Sequence, residues 1–358
     1  MKAIIPIGGR GTRMRPVTFT ANKHFIPVGN KPLIFYPVET IAQAGITEIA
    51  ITYNPGQIDY AKEKLGDGSR WGVKFTFIEQ PEPIGLANVV EVCEKWLRND
   101  PFVYHLGDNI FVDGIADIVN YFEKEKPDGL VTMLHHAENK RMGVPYFDKN
   151  NRLIKYVEKP TQPPHDFAVP GLYFGNKNFF KAFKGKGRIR PSKRGELEIP
   201  SPYQWLIDHK FRVDVIEYTG VWLDPGKFND WLETNQHLLD RMIVKRFESE
   251  PDTDSKIEGR VQIGLDCKIT KSIIRGPVSI GDNVIIENSF IGPYTSIYDN
   301  CRITACHIEN SVLMEAVLFK DLDKPVDSSI IGPHSEITGD DSQTYHQLFI
   351  GEMGKVSL

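Results

Sequence analysis

The sequence predicts an α/β protein in which a Rossmann-like, mostly parallel sheet is followed by a left-handed parallel β-helix. Strand-like and helical segments alternate over the first two thirds of the chain, which is typical of a parallel sheet covered by helices. Isoleucine then recurs at a fixed interval over the last third, which is typical of the stacked coils of a hexapeptide-repeat β-helix. A chain of 358 residues is long enough for about two such domains.

The first region alternates five segments that resemble buried strands with three segments of helical periodicity. The predicted strands are 2–7, 49–53, 73–79, 102–108 and 130–137, and the predicted helices are 32–44, 85–97 and 115–126. In such a sheet, ligands bind beyond the carboxyl ends of the strands. The loop after the first strand and Asp108 at the end of the fourth strand are therefore expected to share one cleft.

The last region carries three columns of isoleucine that repeat every seventeen residues. Each coil of a β-helix stacks its apolar residues on those of the previous coil, so this period predicts a coil over 257–340. The rhythm breaks between Leu313 and Asp327, where an inserted loop is expected, and resumes at Ile331. The columns are Ile263, Ile280 and Ile297; Ile269, Ile286 and Ile303; and Ile274, Ile291 and Ile308.

These patterns divide the chain into a sheet domain (1–245), an acidic linker (246–256), a β-helix (257–340) and an unclassified C-terminal tail (341–358). The flat sides of stacked coils can pack against copies of themselves, so we expect a homo-oligomer.

Composition narrows the classes of function. Hydrophobic residues make up 41% of the chain and charged residues 25%, as in ordinary globular proteins. The net charge of −4 argues against a general nucleic-acid binder. The four cysteines lack metal-ligand spacing, and no apolar leader or bilayer-length run is present. We therefore predict a reduced, cytoplasmic protein that binds neither nucleic acid nor membrane.

The loop after the first strand is rich in small residues and is followed by cations. Glycines let backbone N–H groups approach an anion, and Arg13 and Lys23 could hold a phosphate chain. The Walker pattern is absent, and the dinucleotide pattern lacks its third glycine because position 14 is Met. Spacing alone leaves two interpretations open, a nucleoside triphosphate site and a tight turn with solvated arginines. The loop residues are Gly8, Gly9, Gly11, Thr12 and Arg13.

Several motifs follow one another from Met1 to about Met242: GGRGTRMRPVT with Lys23 and PVGNKPLI behind it, LGDGSRWGVKFTFIEQPEPIGLAN, LGDNIF, YVEKP, PGLYFG, KRGELEI and WLDPGK. This ordered series resembles the sugar-1-phosphate nucleotidyltransferases, and it is most similar to the longer type of the glucose-1-phosphate thymidylyltransferase branch. The resemblance implies that dTTP and α-D-glucose 1-phosphate form dTDP-glucose and pyrophosphate.

Such a reaction brings two anions together. Two unit charges about 4 Å apart repel by roughly 4 kcal/mol at an effective dielectric constant near 20. Cations and an in-line geometry must overcome this repulsion. The sequence shows no nucleophile–His–acid arrangement, and the sugar phosphate is itself the attacking group. We therefore expect direct displacement without a covalent enzyme intermediate.

The resemblance implies that Asp108 and Asp224 hold Mg²⁺, a cation that prefers carboxylate oxygens and retains some waters. Taken singly, Asp108 could be a helix N-cap and Asp224 a turn residue. Many family members have Thr where this chain has Pro225, so the backbone conformation around Asp224 could differ from that of the family.

The resemblance implies roles for the other motif residues as well. A side-chain amide such as that of Gln80 suits the imide edge of thymine or uracil. The implied catalytic residues are Arg13, Lys23, Asp108, Lys159 and Asp224. The implied nucleotide-binding residues are Gly8, Gly9, Gly11, Thr12, Arg13, Gln80, Gly85 and Asp108. The implied sugar-phosphate-binding residues are Asn109, Gly143, Glu158, Lys159, Gly171 and Arg194.

Three alternatives stay open. UTP could replace dTTP, because the bases differ by one methyl group, worth only about 1–3 kcal/mol of discrimination. The coil could transfer an acetyl group, although its short repeat and its two histidines, His307 and His334, are better explained by a scaffold role. A relative without catalytic activity should show damage at Lys23, Asp108 or Asp224, and all three are intact.

Overall fold

The computed structural model describes residues 1–9, 11–19 and 22–339. The chain forms two compact units. The first comprises Met1–Gly9 and Ile34–Leu223, and the second comprises the described residues of Arg10–Leu33 and Asp224–Leu358. The predicted tail 341–358 and position 340 of the predicted β-helix lie outside the described residues. Within the described residues, no helix has the length and hydropathy needed to cross a membrane.

The first unit is built on an eight-stranded sheet that confirms the predicted α/β class. The four strands nearest the N-terminus are Lys2–Pro6, Glu48–Tyr53, Lys74–Glu79 and Phe102–His105, and they are parallel to one another. Two antiparallel strands make the sheet mixed rather than fully parallel. In spatial order the strands are Phe167–Ala168, Gly129–His135, Leu172–Gly175, Phe102–His105, Lys2–Pro6, Glu48–Tyr53 and Lys74–Glu79, with Val213–Glu217 parallel to Gly129–His135.

The three predicted helices are present in the first unit, with ends within three residues of those expected. The predicted helix 85–97 is interrupted at Cys93. The α-helices of this unit are Phe35–Gln43, Ile58–Leu65, Leu86–Val92, Glu94–Leu97, Ala116–Glu125 and Pro200–Asp208. Short 3₁₀ helices occupy Ser69–Trp71, Asn139–Arg141 and Lys177–Phe183.

Two short antiparallel strand pairs outside the main sheet contain or adjoin predicted site residues. Strand Gly143–Phe147 pairs with Leu153–Glu158, which sets Gly143 opposite Glu158. Strand Ile110–Phe111 pairs with Trp222–Leu223, directly after Asp108 and Asn109 in the chain. These pairs bring distant motifs together at the edge of the first unit's core.

The second unit contains a parallel β-helix made of three parallel sheets, as predicted. The isoleucine columns are in register, so that Ile263 pairs with Ile280 and Ile280 with Ile297. The other two columns stack in the same way, and all nine side chains are buried. The strands of the first sheet are Arg246–Phe247, Val261–Ile263, Val278–Ile280, Thr295–Ile297, Val312–Leu313 and Ile330–Ile331. Those of the second are Lys256–Glu258, Ile273–Arg275, Phe290–Ile291, His307–Glu309 and Val326–Asp327, and those of the third are Lys268–Thr270, Ile285–Glu287, Arg302–Thr304, Leu318–Lys320 and Glu336–Thr338.

The coil continues between Leu313 and Asp327, and the loop expected there is limited to a longer turn, 321–325, where the preceding coil has only residues 305–306. Leu313, Phe319 and Val326 occupy the next position of each column, paired with the last isoleucines. The interval is sixteen residues in the first two columns and eighteen in the third, so the isoleucine rhythm is lost while the stacking persists. Residues Arg246–Phe247 of the predicted linker also pair with the coil, and the domain boundaries at 245 and 257 stay predictions.

A buried asparagine bonds to two other parts of the second unit, the coil and the turn after Val28. Asn235 lies on the helix Phe228–Met242 and is fully buried. It donates through Nδ2 to Tyr294 O at 3.0 Å, and its Oδ1 accepts from Ser296 Oγ at 2.7 Å and from Gly29 N at 2.9 Å. The helix therefore links the coil to the turn between strands Pro27–Val28 and Lys31–Pro32. Three 3₁₀ helices precede this turn: Thr12–Met14, Val17–Phe19 and Lys23–Phe25.

The inner columns should carry much of the coil's stability. Ile274 is fully buried and stacked between Ile257 and Ile291, whereas its neighbour Ile273 is 40% exposed. We expect Ile274→Ala to lower the free energy of unfolding by about 2–5 kcal/mol. Ile273→Ala, the matched control, should change it by no more than about 0.5 kcal/mol. Denaturant unfolding measures both, and equal losses would contradict the assignment of this column to the core.

Candidate active site

Asp108 and Asn109 follow the carboxyl end of strand Phe102–His105, where the sequence placed a ligand site. Asn109 is only 3% exposed. Its Nδ2 donates to Asp108 Oδ1 at 3.0 Å, and its Oδ1 accepts from Gly171 N at 3.1 Å and from Trp222 Nε1 at 2.9 Å. The structure thus brings three predicted site residues together in the first unit.

Close packing explains the glycine at position 171. A Cβ atom there would lie 2.6 Å from Asn109 Oδ1, which a real Cβ could not tolerate. Leu106 N also donates to Gly171 O at 2.8 Å, so the backbone is held from both sides. Burial lowers the pKa of the neighbouring His105 to about 4, which keeps its ring neutral near Asp108 at ordinary pH.

The predicted sugar-phosphate residues Glu158, Lys159 and Arg194 also meet. Lys159 Nζ lies 3.6 Å from Glu158 Oε1, and Arg194 Nη2 lies 4.0 Å from the same oxygen. Burial raises the pKa of Glu158, and the positive charge of Lys159 opposes that shift. Arg194 also donates to Glu198 Oε1 through Nε at 3.1 Å and Nη2 at 2.9 Å, and this bond raises the pKa of the guanidinium. Two cations and a partly buried carboxylate therefore form one polar group.

Gly143 borders this group, because it pairs with Glu158 across the strand pair. A Cβ atom at position 143 would lie 2.5 Å from the hydroxyl of Tyr156, whose ring fills the space under the glycine. Val169 N donates to Gly143 O at 2.8 Å. The backbone at position 143 is thus fixed between two neighbouring segments.

The predicted base-binding residues Gln80 and Gly85 are adjacent. Gln80 is 5% exposed, and its Nε2 donates to Asn88 Oδ1 at 3.0 Å and more weakly to Gly85 O at 3.4 Å. Next to Gly85, Ala87 N donates to Leu197 O at 3.0 Å, and Leu197 N donates to Ile84 O at 2.6 Å. The predicted nucleotide segment is therefore bonded to the segment that follows Arg194.

The glycines at the end of the first strand differ in their surroundings. A Cβ atom on Gly8 would lie 2.8 Å from Asn54 Oδ1, so Gly8 is tightly packed. Among the described residues, a Cβ atom on Gly9 would have no neighbour within 4 Å, and the backbone there has φ +127°. Lack of contact with the described residues suits the approach of a ligand, as the sequence predicted for this loop.

The second unit contains the other predicted residues of the loop that follows the first strand, together with Lys23 and Asp224. Thr18 Oγ1 donates to Gly11 O at 2.7 Å, and a Cβ atom on Gly11 would lie 3.4 Å from Cβ of Lys23, which is 7% exposed. Arg13 lies beside the turn after Asp224, because a Cβ atom on Gly226 would be 3.2 Å from Arg13 Nη1. Thr12, Arg13 and Asp224 are exposed to solvent.

The carboxylates predicted to hold a metal belong to different units, Asp108 to the first and Asp224 to the second. Within the described residues, no group of three or more His, Cys, Asp or Glu side chains could hold a metal ion. Mg²⁺ bound together with substrate phosphates needs only one or two protein carboxylates. The half-buried Asp108 carboxylate, oriented by the Asn109 amide, has the chemistry that such an ion requires.

Several partners of the predicted residues were not predicted. Trp222 lies within the motif WLDPGK, but nothing in the motif indicates that its indole bonds to Asn109. Glu198 follows Arg194 by four residues, and this spacing of opposite charges was the available signal. Asn88, Tyr156 and Leu197 also lie within the quoted motifs, but nothing in those motifs indicates the contacts that tertiary packing gives them.

Comparison with known proteins gives full-length matches. The nucleotidyl transferase family matches residues 2–241. A Streptomyces antibioticus protein described as a glucose-1-phosphate thymidylyltransferase is 36% identical, covering 100% of this chain and 99% of its own. The low-salt glycan biosynthesis nucleotidyltransferase Agl11 of Haloferax volcanii is 35% identical over the whole of both chains. A Bacillus anthracis crystal structure, described as a glucose-1-phosphate thymidylyltransferase in complex with sucrose, is 34% identical with a TM-score of 0.62, covering 70% of this chain and 98% of its own.

Proposed function

The chain belongs to the nucleotidyl transferase family, and from this premise we propose that it converts dTTP and α-D-glucose 1-phosphate into dTDP-glucose and pyrophosphate. The observation that carries the proposal is the convergence of Lys159 and Arg194 on Glu158 within 4.0 Å. Two cations beside a carboxylate suit a ligand that carries both a phosphate and hydroxyl groups. Full-length similarity to proteins named as thymidylyltransferases supports the choice of nucleotide.

In this proposal, Lys159 and Arg194 bind the phosphate of the sugar substrate. Arg194 donates to Glu198 through Nε and Nη2. We therefore expect its remaining nitrogen, Nη1, to face the phosphate. Glu158 accepts hydrogen bonds from the sugar hydroxyls. The fixed backbones of Gly143 and Gly171 lie against the sugar ring.

Arg13 and Lys23 are proposed to bind the triphosphate, with the backbone of the loop that contains Gly8, Gly9, Gly11 and Thr12 around it. Gln80 and Gly85 contact the base. Asp108 and Asp224 would hold Mg²⁺, which when bound supplies positive charge to the phosphates.

The proposed chemistry is a single in-line displacement. An oxygen of the sugar phosphate attacks the α-phosphorus of the nucleotide, the bond to the β-phosphate oxygen breaks, and pyrophosphate leaves with its electron pair. Arg13 stabilises the charge that develops on the leaving group. The protein contributes orientation and charge and forms no covalent bond to the nucleotide.

A substrate panel with pyrophosphate detection tests the proposal. We expect kcat/KM for dTTP to exceed that for UTP by about 10–200-fold, because a pocket can discriminate one methyl group by about 1–3 kcal/mol. A preference for UTP would overturn the thymidylyl assignment, and no pyrophosphate release with either nucleotide would overturn the function. An arm with acetyl-CoA and sugar phosphates tests acetyl transfer by the coil.

A further inference from the structure

The amide of Asn109 has only one orientation that satisfies its neighbours. Gly171 N and Trp222 Nε1 can only donate hydrogen bonds, so the amide atom facing both must be the oxygen. The amide nitrogen must then face Asp108, where it donates to Oδ1 at 3.0 Å. A flipped amide would place its NH₂ group against two donors inside the protein, which is costly for a side chain that is 3% exposed.

Both donors that set this orientation have contacts that hold them in place. Gly171 is fixed by the bond from Leu106 N to its carbonyl oxygen at 2.8 Å. Trp222 lies in a strand pair opposite Phe111, and its ring packs edge-on to His136 with centroids 5.7 Å apart. The direction of the bond from Asn109 to Asp108 is therefore set by one backbone N–H group, that of Gly171, and by one indole N–H group, that of Trp222.

We propose that Asn109 is a positioning residue, whose amide holds the Asp108 carboxylate in the orientation that receives the metal–nucleotide complex. This inference rests on the proposed function only in taking Asp108 as a metal ligand. It gives Asn109 a role other than the sugar contact implied by the resemblance, because its oxygen already accepts two protein hydrogen bonds. Hydrogen bonds that orient metal ligands typically change metal affinity or activity by about 10–100-fold.

A double-mutant cycle tests the role. Asn109→Ala removes the amide, and Trp222→Phe removes only the indole donor while keeping an aromatic ring. The probe is Mn²⁺ with dTTP, whose dissociation constant is measured from free Mn²⁺ by electron paramagnetic resonance. We expect Asn109→Ala to raise that constant by about 10-fold. Trp222→Phe should raise it less, and should have no further effect in the Asn109→Ala background, because it acts through the amide.

Asn178→Ala provides a matched control in the same unit. Its Nδ2 donates to Asp128 Oδ1 at 2.7 Å, so this change also removes an amide–carboxylate bond, but at a carboxylate outside the predicted site. We expect a lower Tm with unchanged Mn²⁺–dTTP binding. Circular dichroism checks that each variant folds.

Three outcomes would overturn the inference. Unchanged Mn²⁺–dTTP binding in folded Asn109→Ala would remove its positioning role, and a higher KM for glucose 1-phosphate alone would make it a sugar contact. Additive effects of Asn109→Ala and Trp222→Phe would show that the indole does not act through the amide. Failure of the proposed function is seen separately, as absence of turnover in the unaltered protein, while the binding comparison still decides the role of Asn109.

Discussion

Replacement of Asp108 by Asn is expected to reduce kcat by at least about 10³-fold while leaving the fold intact, since charge stabilisation by a bound metal is worth several kcal/mol. Asn has nearly the same shape as Asp, and its oxygen can still accept the hydrogen bond that Asn109 Nδ2 donates at 3.0 Å. The change therefore removes the negative charge while keeping this hydrogen bond. Asp224→Asn should have a similar effect, because both carboxylates are proposed to hold one Mg²⁺.

Single-turnover pyrophosphate release measures the effect, and thermal unfolding shows whether the fold survives. Asp148→Asn is the matched control, because Asp148 accepts from Asn150 N and Arg152 N through Oδ1 in an exposed turn of the first unit. Its amide counterpart can make the same bonds, so activity should persist. A near-normal rate in either active-site variant would remove that carboxylate from the mechanism.

The coil could be predicted in detail because its physics is local and repetitive. Each coil must bury a side chain at the same three positions. The seventeen-residue spacing of Ile269, Ile286 and Ile303 therefore predicts which residues of successive coils are paired. The same reasoning failed where Phe319 continues this column, since a β-helix requires an apolar side chain of suitable size rather than isoleucine. A search for any apolar residue at intervals of sixteen to eighteen would have followed the coil through this stretch.

For the candidate site, the sequence predicted the residues but not the contacts that orient them. The ordered motifs named Asp108, Glu158, Lys159 and Arg194, and the structure groups the last three around one carboxylate oxygen. The contacts that orient Asn109, which bonds to Asp108, come from Gly171 and Trp222, each more than sixty residues away in the chain. Such contacts depend on tertiary packing, which no local pattern of the sequence specifies.

Gly85→Ala is the second change for which we expect a large effect, because the new methyl group would collide with backbone. A Cβ atom at this position would lie 2.5 Å from Leu197 O and 2.7 Å from Leu197 N, and the backbone has φ +121°. Strain of this kind costs about 1–3 kcal/mol. The collision must also separate the segment Ile84–Ala87 from Leu197, which now share two backbone hydrogen bonds.

The kinetic consequence follows from what these two segments carry. Gly85 belongs to the proposed base site. Leu197 lies in the chain between Arg194, which is proposed to bind the sugar phosphate, and Glu198, which accepts hydrogen bonds from the Arg194 guanidinium. A displacement of about 1 Å in catalytic geometry can cost about 10²-fold in rate, so kcat/KM for both substrates should fall by about that factor.

Gly66→Ala is the control that separates the effect of backbone strain from the effect of the collision with Leu197. Gly66 also has a positive φ, +63°, but a Cβ atom there would meet none of the described residues within 4 Å. This control should lower Tm with nearly unchanged kinetics, whereas Gly85→Ala should lower Tm and also kcat/KM for both the nucleotide and the sugar phosphate. If the two variants behave alike, the contact between Gly85 and Leu197 only supports the fold. If only the nucleotide constants change in Gly85→Ala, the bonds to Leu197 do not transmit the displacement to Arg194.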